Sequence, residues 1–106
     1  MTTVMDAEEI PEKSTWPFDL EATFDGLPWD LTGATVTLLL HAPGGATTTK
    51  TASAVSAPGG QFRATTTVTD LVATHRRERW SRSWRVVLGG VDERSLPIPF
   101  ILVQSP

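Results

Sequence analysis

Few residues of this chain have the side-chain types that catalysis or metal binding requires. Its 106 residues include no cysteine and two histidines, His41 and His75. Nucleophilic catalysis needs a hydroxyl or thiol beside a base and an orienting acid, and neither histidine stands in such a motif. The acidic pair Asp92-Glu93 and the Asp25 to Asp30 turn lack the ligand spacing of a calcium loop. We therefore expect a protein that is not an enzyme and that holds no metal or cofactor.

Charged side chains are stronger candidates for function, because they are unevenly distributed. Residues 1 to 30 hold eight carboxylates against Lys13, whereas residues 76 to 85 hold five arginines against Glu78. Arginine is favoured in protein interfaces and binds carboxylates through two parallel hydrogen bonds. Two interpretations remain open: these residues pair within the chain and with solvent, or the acidic segment and the arginines of neighbouring copies meet. The candidates for such contacts are Asp6, Glu8, Glu9, Arg76, Arg77, Arg79 and Arg85.

Tryptophan is the other residue type with a possible binding role, and the chain has four. Trp16, Trp80 and Trp84 lie in alternating strand patterns and are predicted to belong to the core. Trp29 lies in a predicted turn, so it is the indole that we expect to face a partner.

The overall composition excludes several classes of protein. The formal net charge is −3 at pH 7, which argues against general nucleic-acid binding. No apolar run approaches the roughly 18 residues of a membrane span. A chain of this length can bury one core without disulfides or metals. We therefore expect one soluble domain with neither nucleic acid nor membrane as a partner.

Apolar and polar residues alternate with a period of two along most of the chain, and glycine and proline separate the alternating runs. The Asp25 to Gly33 segment predicts two tight turns. The weak pattern of Ala46 to Ser56 is typical of an edge strand, and Pro97 and Pro99 predict that the last strand is an unpaired edge. The predicted strands cover residues 16–24, 34–42, 46–56, 61–69, 80–88 and 96–103.

Three features depart from this alternation. Residues 1 to 14 show no lasting period and are predicted to form an extended acidic arm outside the core, with the sandwich domain over residues 15 to 106. Residues 70 to 78 begin with a capping-type Asp70 and are predicted to form a short helical crossover. The pattern places Arg82 on an apolar face, so either a bulge turns it outward or its guanidinium lies across an indole.

Six to seven short strands joined by glycine and proline turns predict an all-β protein, an immunoglobulin-like β-sandwich. The cysteine pair of antibody domains is missing. The prediction therefore concerns the architecture and not antibody-type chemistry.

Several stretches of the chain resemble a known protein family. They are the opening strand Trp16-Pro-Phe-Asp-Leu, the turn and strand that start at Gly26, and then Gly60-Gln-Phe and Trp84-Arg-Val. In this order they resemble the N-terminal domains of phage baseplate upper proteins, over residues 15 to 103. Those domains carry a Gly-x-Pro-x-Asp-Leu-Thr-Gly-Ala-x-Val turn and strand, and this chain has that pattern from Gly26 to Val36.

The resemblance implies an immunoglobulin-like sandwich that docks to other proteins of a virion in symmetric, multi-copy assemblies without catalysis. We therefore predict a non-enzymatic structural protein located in the virion of a tailed bacteriophage, an adaptor in the tail, baseplate or head-tail connector. A capsid decoration protein would use the same sandwich in many copies. An alternative of another class is a carbohydrate-binding module for host-surface glycans, which would stack sugar rings on exposed indoles.

Overall fold

The residues that the structure describes form eleven β-strands, most of them from the alternating segments of the chain. A computed structural model describes residues 8 to 104, with side chains from Glu9 onward. The threonine, valine and aromatic residues that dominate these segments fit a pleated, half-buried surface. The strands are β1 (Glu8–Pro11), β2 (Pro17–Glu21), β3 (Thr23–Phe24), β4 (Leu27–Pro28), β5 (Thr35–His41), β6 (Thr47–Thr51), β7 (Ser53–Ser56), β8 (Gln61–Thr65), β9 (Arg77–Leu88), β10 (Val91–Arg94) and β11 (Ile98–Val103).

The strands pack as two layers. The larger sheet has the order β1-β11-β9-β5-β6, and the smaller sheet has the order β2-β8-β7. Strand β9 pairs with β5 along one edge and, along the other, first with β11 and then with β10. The β3-β4 hairpin is a separate two-stranded piece. This arrangement confirms the prediction of an all-β sandwich.

One core fills the space between the layers. Phe18 of the smaller sheet meets Phe100 of the larger sheet, with ring centres 5.8 Å apart. The ring centre of Trp80 lies 6.2 Å from that of Phe100. Trp80 and Trp84 are buried and Trp16 packs half-buried against the core, which confirms the core prediction for these indoles.

Arg82 shares the inner face of β9. The pairing of β9 with β5 and with β11 is uninterrupted at this residue, so no bulge turns it outward. Its guanidinium carbon lies 5.1 Å from the centre of the Phe18 ring. The cation therefore lies over an aromatic face, as one of the two interpretations predicts, but the ring is a phenyl and not an indole.

The described part of the N-terminal segment is not an arm. Strand β1 pairs in parallel with β11, from Glu8 opposite Phe100 to Pro11 opposite Val103. Ile10 is fully buried in the core. The prediction that this segment lies outside the core is therefore wrong from residue 8 onward, because one isolated isoleucine produces no periodic pattern. Residues 1 to 7, which include Asp6, lie outside the described residues.

The last strand is also not an unpaired edge, because β11 lies between β9 and β1. Pro99 lies within this paired strand, opposite Ser81 of β9.

The segment between β8 and β9 crosses from one sheet to the other as a loop, and the predicted helix is absent from it. The Asp70 carboxylate accepts a hydrogen bond of 2.6 Å from the N–H of Thr67. Asp70 thus closes the turn that precedes it and does not cap a helix that follows it. The N–H groups of Ala73 and Thr74 donate to the carboxylates of Glu12 and Glu78. They are therefore not used for hydrogen bonds to carbonyls four residues earlier, as a helical turn would require.

The predicted strand over residues 46 to 56 divides between the layers. Strand β6 is an edge of the larger sheet and β7 is an edge of the smaller one. The chain changes layer at Ala52, whose N–H still donates to the carbonyl of Val36 at 2.9 Å.

Candidate functional site

Strand β9 connects two ends of the sandwich that differ in chemistry. Its twelve residues span about 36 Å at the usual rise per residue. Beside its start lies the loop of residues 66 to 76, which together with Arg77 and Arg79 we call the loop end. Beside its last residue, Leu88, lie residues 23 to 29 and 89 to 93, which we call the groove end.

A nearly buried carboxylate, Glu78, organises the loop end. Its Oε2 accepts hydrogen bonds from the hydroxyl and the N–H of Thr74, at 2.7 and 3.1 Å, and lies 3.1 Å from Nδ1 of His75. Its Oε1 accepts a hydrogen bond of 3.2 Å from the indole N–H of Trp80. The hydrogen bonds, led by that of the Thr74 hydroxyl, outweigh the opposing effect of burial and lower the pKa of Glu78 to about 2.

A second carboxylate holds the middle of the same loop. Oε2 of the buried Glu12 accepts a hydrogen bond of 2.9 Å from the N–H of Ala73. The carbonyl of Leu71 accepts from the N–H of Lys13 at 2.7 Å, and the Leu71 side chain is fully buried. Both carboxylates are therefore bound to backbone groups of the loop, and they fix the loop that forms the surface of this end.

Two of the predicted interface arginines form ion pairs within the chain. Nη2 of Arg77 lies 2.6 Å from Oε1 of Glu9. Arg85 binds Asp92 through two hydrogen bonds, of 3.0 and 2.6 Å, which lower the pKa of that carboxyl. Arg77 and Arg85 therefore pair within the chain, as the first of the two interpretations predicts.

The other two candidate arginines, Arg76 and Arg79, remain exposed. No acid of the described residues lies at ion-pair distance from either guanidinium. Glu8 is a member of β1, and its part in an interface stays a prediction. The loop end therefore presents two arginines whose charge is not neutralised by a described side chain.

The groove end begins with a tight hairpin. Asp25 and Gly26 connect β3 and β4 and have φ angles of 52° and 77°, as a two-residue reversal with positive φ at both positions requires. The predicted turn at Asp25 is therefore confirmed. The hairpin leaves Phe24 and Leu27 65% and 69% exposed.

Trp29, the indole predicted to face a partner, lies at the base of this hairpin. It is half-buried, and its ring centre lies 6.3 Å from that of Phe24. Gly60 fixes its backbone from the other side, since a Cβ there would approach the carbonyl oxygens of Ala22 and Trp29 to 2.5 and 2.7 Å. An open groove of about 600 Å³ results, lined by Thr23, Phe24, Trp29, Val91 and Glu93.

Acidic side chains are frequent in and beside the segments that form this groove. Glu21, Asp25, Asp30 and Glu93 are exposed, and within residues 9 to 104 none of them has a cation at ion-pair distance. Asp30 accepts hydrogen bonds from the N–H and hydroxyl of Thr32, which lower its pKa. The groove end is therefore apolar at its centre, and the carboxylates around it outnumber the exposed Arg94, which lines an adjoining hollow with Trp29 and Glu93.

The sequence contained signals for some residues that the predictions missed. Phe24 and Val91 adjoin the glycine turns at Gly26 and Gly90, where an apolar side chain cannot reach the core. Glu78 has the same parity as Trp80 and therefore points to the inner face of β9. Nothing in the sequence marked Glu12, whose partner Ala73 is 61 residues away.

The remaining candidate groups have structural environments. The ring of His41 is half-buried and lies 3.0 Å from the Ser83 hydroxyl and 3.3 Å from that of Thr47. In the part of the chain that the structure describes, no three histidine, aspartate or glutamate side chains converge as metal ligands. The same part contains no helix with the length and apolarity needed to cross a membrane.

Comparisons with known proteins address the fold. No family model and no curated protein matches the chain. Among solved structures, it is similar to the "N-terminal domain of phage TP901-1 ORF48", with a TM-score of 0.55 and 14% sequence identity. The match covers 94% of this chain and 85% of that one. At this identity the similarity establishes a shared fold over nearly the whole chain.

Proposed function

We propose that this chain is a non-enzymatic structural protein of a tailed-phage virion, a small β-sandwich adaptor in the tail, baseplate or head-tail connector. The observation that carries the proposal is the fold shared with a domain of a phage protein over 94% of the chain. The resemblance of the Gly26 to Val36 segment to baseplate upper protein domains is a second, independent support.

The use that the chain makes of its reactive groups favours a binding role. Glu12 and Glu78 hold a loop, and Arg77 and Arg85 are bound by acids. Among the groups of the described residues that stay open to other molecules are Arg76 and Arg79 at one end and an apolar groove at the other. Arginine and aromatic residues are the types that dominate protein interfaces.

The location of these groups favours an adaptor in particular. They lie toward opposite ends of β9, a strand about 36 Å long, so that two components, one of which can be a second copy of this chain, can be contacted at once. A docking module that only capped one partner would need a single surface.

Quantitative mass spectrometry of purified virions tests the proposal. The copies of this chain are counted relative to the portal and major capsid proteins. About a dozen copies or a small multiple of the tail symmetry supports the adaptor role. Copies in the hundreds would assign the chain to the capsid surface as a decoration protein, and absence from virions would overturn the proposal.

The groove gives a specific reason to test a second function, a carbohydrate-binding module. Phe24 and Trp29 are the aromatic rings that line it, and sugar rings stack on such side chains. Host-surface glycans would then quench or shift the fluorescence of the wild-type protein, and a Trp29→Phe variant would lose that response. An unchanged emission spectrum at millimolar glycan would exclude this function.

A further inference from the structure

We propose that copies of this chain associate head to tail, with the loop end of one copy docked into the groove end of the next. The proposal goes beyond the virion role, because it concerns the purified chain alone. If the purified chain does not self-associate, the proposed virion location still stands. If the chain is absent from virions, the proposed self-association still stands.

The groove end is the acceptor surface. Phe24, Leu27 and Val91 are 65%, 69% and 43% exposed, and together with Trp29 they expose apolar surface around one groove. Contiguous apolar surface of this kind on a soluble domain typically marks a contact site. The exposed carboxylates of Asp25 and Glu93 flank it.

The loop end has the complementary properties. Val68 and Val72 are 56% and 45% exposed, although the residues between and beside them are fixed by hydrogen bonds. Arg76 and Arg79 are exposed at the same end of the sandwich. Since the loop is already ordered in the free chain, docking it costs little conformational entropy.

The charges of the two ends favour a second copy that docks its loop end into the groove end. Docking loop end to groove end places valines on aromatic rings and arginines beside carboxylates. Docking two groove ends would bring together Asp25 and Glu93 and the nearby Glu21 and Asp30, four exposed carboxylates against the one exposed Arg94. Docking two loop ends would oppose Arg76 and Arg79 to themselves. Like charges brought together at an interface are unfavourable. The contact is therefore between unlike surfaces, which generates rings or open chains of copies.

Two blocked variants test this geometry by sedimentation velocity. Phe24→Asp blocks the groove end, and Val72→Asp blocks the loop end; both positions are exposed, so both variants should unfold at the wild-type temperature. We expect wild type to form oligomers as concentration rises, and each variant alone to remain monomeric. An equimolar mixture should form dimers and nothing larger, because it contains one intact end of each kind.

Other outcomes would overturn the proposal. Dimers of Val72→Asp alone would show that two groove ends pair with each other. A wild-type protein that is monomeric at all concentrations would show that the groove does not bind a second copy. If Phe24→Asp unfolds, Val91→Asp serves as the groove-blocked variant.

A charge exchange sharpens the test. Arg76→Glu should weaken self-association at least about tenfold, and mixing it with Glu93→Arg should recover part of the loss. Thr49→Asp is the matched control, since it adds a charge to the exposed outer face of β6, away from both ends. A control that weakens association as much as Arg76→Glu would contradict the assignment of the surfaces.

Discussion

The loop end and the groove end are closed by opposite means. At the loop end, eleven residues cross between the sheets and place Leu71 and Ala73 in the core, while Glu12 and Glu78 bind the backbone amides that a loop leaves without partners. At the groove end, the glycine turns are too short to fold over the neighbouring side chains, so Phe24, Leu27 and Val91 remain exposed to solvent. The loop end therefore contributes mainly to stability, and the groove end is available for binding.

The largest change in the free energy of unfolding is expected at Leu71, the side chain of the loop that lies in the core. Leu71→Ala should lower the free energy of unfolding by about 2–5 kcal/mol, since it leaves a cavity in a fully buried site. The neighbouring Val72→Ala should change it by less than about 0.5 kcal/mol, as expected for an exposed site. Chemical denaturation of both variants measures the difference. Equal effects would mean that the loop does not contribute to the core.

The next effect concerns the carboxylate that holds the loop. Glu78→Gln should cost about 1–3 kcal/mol, because an amide group turned to either side opposes its own N–H donors to those of Thr74 or Trp80. Glu93→Gln at the groove end is the matched control and should be neutral to stability. Denaturant titrations near pH 7 provide the measurement, and an unchanged stability of Glu78→Gln would show that the loop does not depend on the Glu78 carboxylate.

A smaller effect is expected from pH. The folded-state pKa of Glu78 is lowered from its ordinary 4.5 to about 2, so its charged form contributes stability that is fully present above the unfolded-state pKa. That contribution is lost as the pH falls through about 2. Allowing for solvent near this surface loop, it amounts to about 1–2 kcal/mol. The difference in unfolding free energy between wild type and Glu78→Gln should therefore shrink between pH 5 and pH 2.

The smallest effects on stability are expected at exposed positions. Phe24→Thr should alter the free energy of unfolding by no more than about 0.5 kcal/mol, because the phenyl ring is largely in solvent. Phe18→Ala, which removes a buried ring of the same type, should cost about 3–5 kcal/mol. Thermal unfolding of the pair distinguishes the two positions, and a strongly destabilised Phe24→Thr would place that ring in the core.

Arg77→Ala tests the surface ion pair with Glu9 at the other end of the molecule. Exposed pairs contribute about 0–1 kcal/mol, so a change larger than this would show that the pair anchors β1. The measurement is the unfolding free energy at low and at high salt, where only a screened surface pair loses its contribution.

Most strands could be predicted from the sequence, because their signals are local. Alternation along β5 and β8 and the Asp25-Gly26 turn each depend on neighbouring residues, and all of them are confirmed. The errors have long-range causes. Strand β1 exists because Ile10 finds a place in a core built from distant strands, and the 66–76 loop is not helical because Glu12 binds Ala73 from 61 positions away.

The candidate site follows the same division. The sequence indicated Trp29 and the arginine cluster, but it could not separate the paired Arg77 and Arg85 from the exposed Arg76 and Arg79, since pairing depends on which acid the fold brings near. The apolar groove was not foreseen, because it needs Phe24 and Val91 from turns that lie far apart in the chain.

By itself, the sequence determined the all-β class, the burial of Trp80 and Trp84 and the position of the tight turns, because alternation and glycine-containing turns act within a few residues. The tertiary structure alone decided that β1 joins the sheet, that Arg82 lies over Phe18 and that the two ends of the sandwich differ. These outcomes depend on contacts between residues tens of positions apart. The packing of the whole core brings such residues together, and no local preference does.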